Sequence, residues 1–148
     1  MENQRSGMRR LQGFTLLELM IVVAVLAIVV AIALPGFLQS RIAANEGSAI
    51  SSTKHVVSAN EQYRLRFGSF ADSISDLGAA GYIDDSMSDS LKSGYTFSYV
   101  GYSDDYDLNG DPVSPGLSGN RYFFVDSSGV IRFSTTGPAT NTDTALGN

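Results

Sequence analysis

Asp105, Asp107, Asn109 and Asp111 alternate around Gly110 in the polar stretch SDDYDLNGDPVSPGLSGN. Oxygen side chains at every second position, with a glycine for the sharp turn, are the opening half of a calcium loop of the D-x-D-x-N-G type. The residue where such a loop would close with a bidentate glutamate is Gly116, so a helix-loop-helix calcium hand is excluded. A simpler calcium site and a solvated acidic turn both remain open. Other chemistry is hard to assemble. His55 falls on a helical stretch without the serine-and-acid set of a catalytic triad around it, which reads as a surface histidine. Cysteine is absent, which removes disulfides, thiolate metal sites and cysteine nucleophiles together. The glycine-rich piece GDPVSPGLSGN matches neither the phosphate loop nor the dinucleotide fingerprint. No catalytic constellation emerges, so the chain is not expected to be an enzyme.

The remaining unusual side chain is Glu18, an acid inside an apolar run. From Phe14 to Leu34 only Thr15 and Glu18 are polar, and a helix of that length spans about 31 Å, the thickness of a bilayer core. The run is too long to be read as a strand. It also exceeds the about 7 to 15 apolar residues of a secretory signal peptide. Arg9 and Arg10 flank it on the amino-terminal side, which places the amino terminus in the cytoplasm and everything after Pro35 outside it. A plain anchor accounts for length and flank but leaves Glu18 without a purpose, although near a helix start its cost in lipid is reduced by the helix dipole.

The stretch QGFTLLE, followed by the apolar run and Pro35, resembles the prepilin motif of type IV pilins and the related pseudopilins. Gly13, Phe14, Thr15, Leu16, Leu17 and Glu18 match that motif residue by residue. The resemblance implies a leader of residues 1–13, removed between Gly13 and Phe14 by a membrane aspartyl prepilin peptidase, then N-methylation of Phe14. It also implies that Glu18 is needed for ordered subunit addition. Cleavage leaves an ammonium on Phe14, one helical turn from Glu18, so the two charges can pair within a subunit or between neighbours. Desolvation cancels much of the Coulomb gain, which makes such a pair a register device more than a source of stability. The family commonly has a helix-breaking glycine within the apolar run, whereas this chain has none between Gly13 and Gly36.

Beyond the apolar segment (14–35), Pro35 is expected to kink or loosen the helix. The helix then continues over 36–67 on a seven-residue recurrence of Ile42, Ala49, Val56 and Tyr63, flanked by Ala43, Ile50, Val57 and Phe67. Glu46, Lys54, Glu61 and Arg64 are placed on the opposite, solvent face. The recurrence is too short for a coiled coil. Gly68 ends the helix, and residues 68–148 form a head. A short helix is expected after Asp72 or Ser73, ending at Gly78 or Gly81. A strand follows at YTFSYVGY, and then a hairpin at RYFFVDSSGVIRFST. Three antiparallel strands would thus pack on the amphipathic half of the helix, with GPATNTDTALGN as a surface-lying or mobile tail. The fold class is α+β, a long amino-terminal helix against a small antiparallel sheet.

The net charge is −5, and from Phe67 onward eleven aspartates face only Lys92, Arg121 and Arg132. Such a body repels phosphates, so nucleic acid is not a partner by simple electrostatics. The resemblance implies a structural subunit held in lipid at the inner membrane, then added at an assembly platform to a polymer of itself. The product would be an extracellular pilus serving adhesion, motility or DNA uptake, or the periplasmic pseudopilus of a type II secretion system. A membrane-anchored binding domain that never polymerises is the reading from another class. No cofactor is implied beyond calcium, which stabilises some members of the family in the region of the acidic loop.

Overall fold

The computed structural model describes residues 13–84, 87 and 90–147. The leader up to Gln12, with Arg9 and Arg10, lies outside the described residues. Among the described residues a long helix, α1 (Leu16–Phe67), is followed by α2 (Ile74–Ala79) and six strands: β1 (Leu91–Lys92), β2 (Tyr95–Gly101), β3 (Tyr106–Pro112), β4 (Tyr122–Val125), β5 (Arg132–Ser134) and β6 (Thr144–Ala145). The chain divides into two compact units, with the boundary between Phe37 and Leu38.

The first unit is helical from Leu16 and leaves its apolar side chains exposed, from Phe14 through Phe37. Its most apolar 18-residue window has a mean hydropathy of 3.1 and no buried residue, so the helix is long and apolar enough to cross a membrane. Pro35 sits inside α1. Its ring nitrogen has no proton to give the Ala31 carbonyl, so one rung of the helical ladder is absent there.

The second unit is a helix and a sheet. The six strands lie in sequence order, each antiparallel to the next. Ala49, Val56 and Ala59 from α1, with Phe70 and Leu77 beyond it, meet Tyr95, Phe97, Tyr106, Leu108, Phe123 and Val125 from the sheet in one core. Gly68 (φ +85°) stops α1, its amide donating to the Arg64 carbonyl at 2.8 Å. Ser73 caps α2, and its hydroxyl oxygen accepts from the Asp76 amide at 3.3 Å.

The sheet is larger than the three expected strands, and two differences explain why. The polar stretch expected as a loop contains β3, a central strand paired along its whole length with β2. Its inward positions are Tyr106, Leu108, Gly110 and Pro112, and the acids occupy the outward ones. Gly110 survives in mid-strand because it lies across from both Phe97 and Phe123, and a Cβ there would press to 3.1 Å from the Phe97 ring. The second difference is the tail. Thr144 and Ala145 pair with β5, the Leu146 amide donates to the Ile131 carbonyl at 2.7 Å, and Ala139 is buried.

The helix stripe also needs one correction. Glu46, expected to face solvent beside Lys54, is buried. Positions 42, 46, 49, 53 and 56 recur at four and three residues, so Glu46 lies on the stripe that meets the head. Ala43 and Phe67, assigned to that stripe, are exposed instead. Glu46 Oε1 accepts the amides of Asn120 at 2.8 Å and Arg121 at 3.2 Å, while Oε2 pairs with Arg121 Nε at 2.7 Å. Asn45 Nδ2 adds a bond to the Ser118 carbonyl at 2.8 Å. The loop entering β4 is thereby fastened to α1.

Removing a buried carboxylate with three donors on it leaves those donors unpaired. Glu46→Ala is expected to cost about 3 kcal/mol in the full-length chain in detergent, whereas Lys54→Ala, at an exposed position, should change stability by no more than about 0.5 kcal/mol. Thermal unfolding followed by circular dichroism separates the two; equal effects would return Glu46 to the solvent face.

Candidate functional site

Residues 13–15 precede α1 without helical structure, and Thr15 stands where an N-cap residue stands. Glu18 folds back on it. Its Oε2 accepts both the Thr15 amide and the Thr15 hydroxyl at 2.9 Å, and the Glu18 amide donates to Thr15 Oγ1 at 3.2 Å. This is a capping box, in which side chains satisfy amides that the first helical turn cannot. The T-x-x-E spacing ahead of an apolar run is its sequence signal, and the reading of Glu18 as a charge awaiting a partner passed over it. One consequence is geometric. A carboxylate oxygen bonded to the Thr15 amide lies within about 7 Å of the Phe14 nitrogen by covalent geometry alone. The Gly13–Phe14 bond itself falls ahead of the first helical residue.

The strand-borne acids are arranged differently from a calcium loop. Asp105, at the end of the β2–β3 turn, accepts the Tyr106 amide at 2.8 Å and the Ser127 amide at 3.0 Å through the same oxygen. Hydrogen bonding from Ser127, joined by the Tyr106 amide, holds its carboxyl below the usual value. Asp107, Asn109 and Asp111 share the outward face of β3 and line a shallow hollow of about 470 Å³ beside Pro138 and Thr140. Along a strand, alternate residues stand about 6.8 Å apart, which spreads the donors in a row where a calcium ion needs oxygens at about 2.3–2.6 Å on several sides. Among the described residues no three His, Asp or Glu side chains gather closely enough to hold a metal ion. The four residues do not fit a calcium cage.

Burial raises the Asp107 and Asp111 carboxyls above the usual range, with Asp105 and Asp126 adding to the effect at Asp107. Asp111 Oδ1 is buried without a hydrogen-bond partner. His55 is exposed on α1. Tyr99, its single hydroxyl proton shared between the Ala71 carbonyl at 2.8 Å and Asn60 Oδ1 at 3.0 Å, is pushed up to about 12 by burial. That is a structural hydroxyl with no acid–base task near neutrality.

A capped apolar helix that begins just after Gly13–Phe14 and is long enough to cross a membrane, followed by a unit of helix and antiparallel sheet, is the architecture of a helix-anchored subunit. Residues 8–34 match the family model of the prokaryotic N-terminal methylation motif. The chain is 30% identical over 130 residues to the type IV wide pilus major component PilA4 of Thermus thermophilus, covering 86% of this chain and 92% of that protein. It is 34% identical over 71 residues to the type IV major pilin protein PilA of Myxococcus xanthus, covering 48% of this chain and 32% of that one. The chain belongs to the type IV pilin family.

Because the folded carboxyl of Asp111 is raised above its unfolded value of about 3.9, ionising it costs stability at neutral pH, and the cost disappears as pH falls below the unfolded value. Asp111→Asn is therefore expected to raise the melting temperature at pH 7, and the two proteins should converge towards pH 3. Thermal scans across that range, with and without a calcium chelator, check this. A variant less stable at pH 7, together with a parent that melts earlier in chelator, would restore the calcium reading.

Proposed function

We propose that the chain is the precursor of a pilus subunit, cleaved between Gly13 and Phe14 by a membrane prepilin peptidase and methylated on the new Phe14 nitrogen. Before assembly its first unit lies in the inner membrane with the amino terminus in the cytoplasm. An assembly platform then draws it into a filament of identical subunits, where neighbouring apolar helices replace lipid around Leu16 to Phe37.

The observation that carries this reading is the Thr15–Glu18 cap. It turns the one carboxylate of the apolar segment back towards the Phe14 nitrogen, where cleavage would create a cation. In the intact chain Glu18 is satisfied by an amide and a hydroxyl. After cleavage the ammonium is a stronger partner within the same reach, and in a low-dielectric surround a charged pair is geometrically demanding. A subunit whose pair is misplaced leaves a charge buried, which gives the pair its power to fix register. The names of the relatives favour a pilus over a secretion pseudopilus, since both are pilus components.

Mass spectrometry of filaments sheared from cells is expected to find a chain beginning at Phe14 and heavier by one methyl group. Glu18→Ala should abolish filaments while processed monomer persists in the membrane. A chain retaining Met1 would overturn the processing, and normal filaments from Glu18→Ala would overturn the assembly role. Processed protein confined to the envelope with no filaments would move the assignment to a pseudopilin.

A further inference from the structure

The second unit has two differently built ends, joined by the length of β2. At one end, Leu91, Val113 and Leu117 are each more than half exposed around a hollow of about 570 Å³. Arg41 is the charged side chain among the described residues that line it. Hydrogen bonds brace the backbone around these apolar groups. The Val113 amide donates to the Gly94 carbonyl at 3.0 Å, the Ser118 amide to the Ser114 carbonyl at 2.8 Å, and Ser48 Oγ to Ser93 Oγ at 2.9 Å.

At the other end, the β2–β3 turn projects Tyr102, Ser103 and Asp104 into solvent, with Val100 exposed at its base. It too is braced. The Tyr102 amide donates to the Asp105 carbonyl at 2.8 Å, the Gly101 amide to the Asp72 carbonyl at 3.3 Å, and Ser127 ties Asp105 down. Gly94 packs beside Asn45 while Gly101 packs against Ala71, so the hollow and the turn stand about 20 Å apart, at opposite ends of the strand.

We infer that the Tyr102–Asp104 turn of one copy of this chain seats in the Arg41, Leu91, Val113 and Leu117 hollow of the next. The two surfaces are complementary in kind: an aromatic knob with an acid, and an apolar floor with a base. Neither is complementary to itself, because like against like would set Arg41 against Arg41 or Asp104 against Asp104. Because the two surfaces stand at opposite ends of β2, a head-to-tail contact between them is heterologous and leaves one of each free for a further copy, so it repeats along a filament. The inference rests on the filament reading above and adds to it a head-to-head contact independent of the apolar helices.

Because the chain contains no cysteine, a paired substitution reports the contact directly. Tyr102→Cys is combined in turn with Leu117→Cys and Val113→Cys, and intact filaments are oxidised and run on non-reducing gels. The expected result, from at least one pair, is a ladder of dimer, trimer and higher species that reduction returns to monomer, with each single variant staying monomeric. Dimers from Leu117→Cys alone, or intact filaments of both pairs that stay monomeric, would overturn the contact while leaving the filament reading in place. Absence of filaments from the parent chain would overturn the filament reading and the contact with it. Where the cysteine variants fail to assemble, charge exchange decides. Arg41→Glu and Asp104→Arg are each expected to lower filament yield at least about tenfold, and the double variant to recover most of it. Failure of the double variant to recover would count against the contact.

Discussion

The head depends on one carboxylate. Glu46 lies within the helix stripe that packs on the sheet, and three donors from the loop entering β4 compensate its burial there. Two of those donors are backbone amides, so the loop geometry itself is fixed, and with it the start of the strand that carries Phe123 and Val125 into the core. Arg121 adds a guanidinium that stands over the Phe123 and Phe133 rings at 5.6 and 5.5 Å. The neighbouring Tyr95 hydroxyl donates to the Arg121 carbonyl at 2.8 Å. Helix, loop and two strands therefore share a single polar knot, and any shift of α1 along its axis would leave several buried groups unpaired at once. Apolar packing alone would slide more easily, since Ala49, Val56 and Ala59 offer little relief.

Much of the fold was legible in the residues. The length and apolarity of the first helix, its stop at Gly68, the Ser73 cap and the aromatic alternation of β2 each rest on local chemistry that a sequence displays. β3 was hidden because its outward positions are Asp107, Asn109 and Asp111 and its inward ones include Gly110 and Pro112, residue types that strands usually lack. The period-two pattern is present, but the types at those positions signal a turn. What makes a strand of it is the room Gly110 leaves for Phe97 and Phe123, a non-local fact. Asp107, Asn109 and Asp111 form the outward, half-buried face of that central strand.

Glu46 was misplaced for a related reason. Charge argued for the solvent face, while the four-and-three recurrence of 42, 46, 49 and 53 argued for the buried one; the structure follows the recurrence, because a partner 75 residues away supplies the compensation. The tail shows the same dependence on distant partners. Its strand is two residues long and gains its place from Arg132, whose Nη1 donates to the Asp143 carbonyl at 2.9 Å.

Glu18 and Glu46 thus solve the same problem at different range. Each is a carboxylate on an apolar helical surface, and each accepts a backbone amide and a side-chain donor. The partners of Glu18 lie three residues away, so its bonds form as soon as the first turn of helix forms and travel with it. Those of Glu46 lie 74 and 75 residues away, so they exist only when the sheet has folded against the helix. Glu18 therefore carries its compensation with it, whether the apolar side chains around it meet water, lipid or protein. Glu46, beyond the boundary between the two units, takes its compensation from the head.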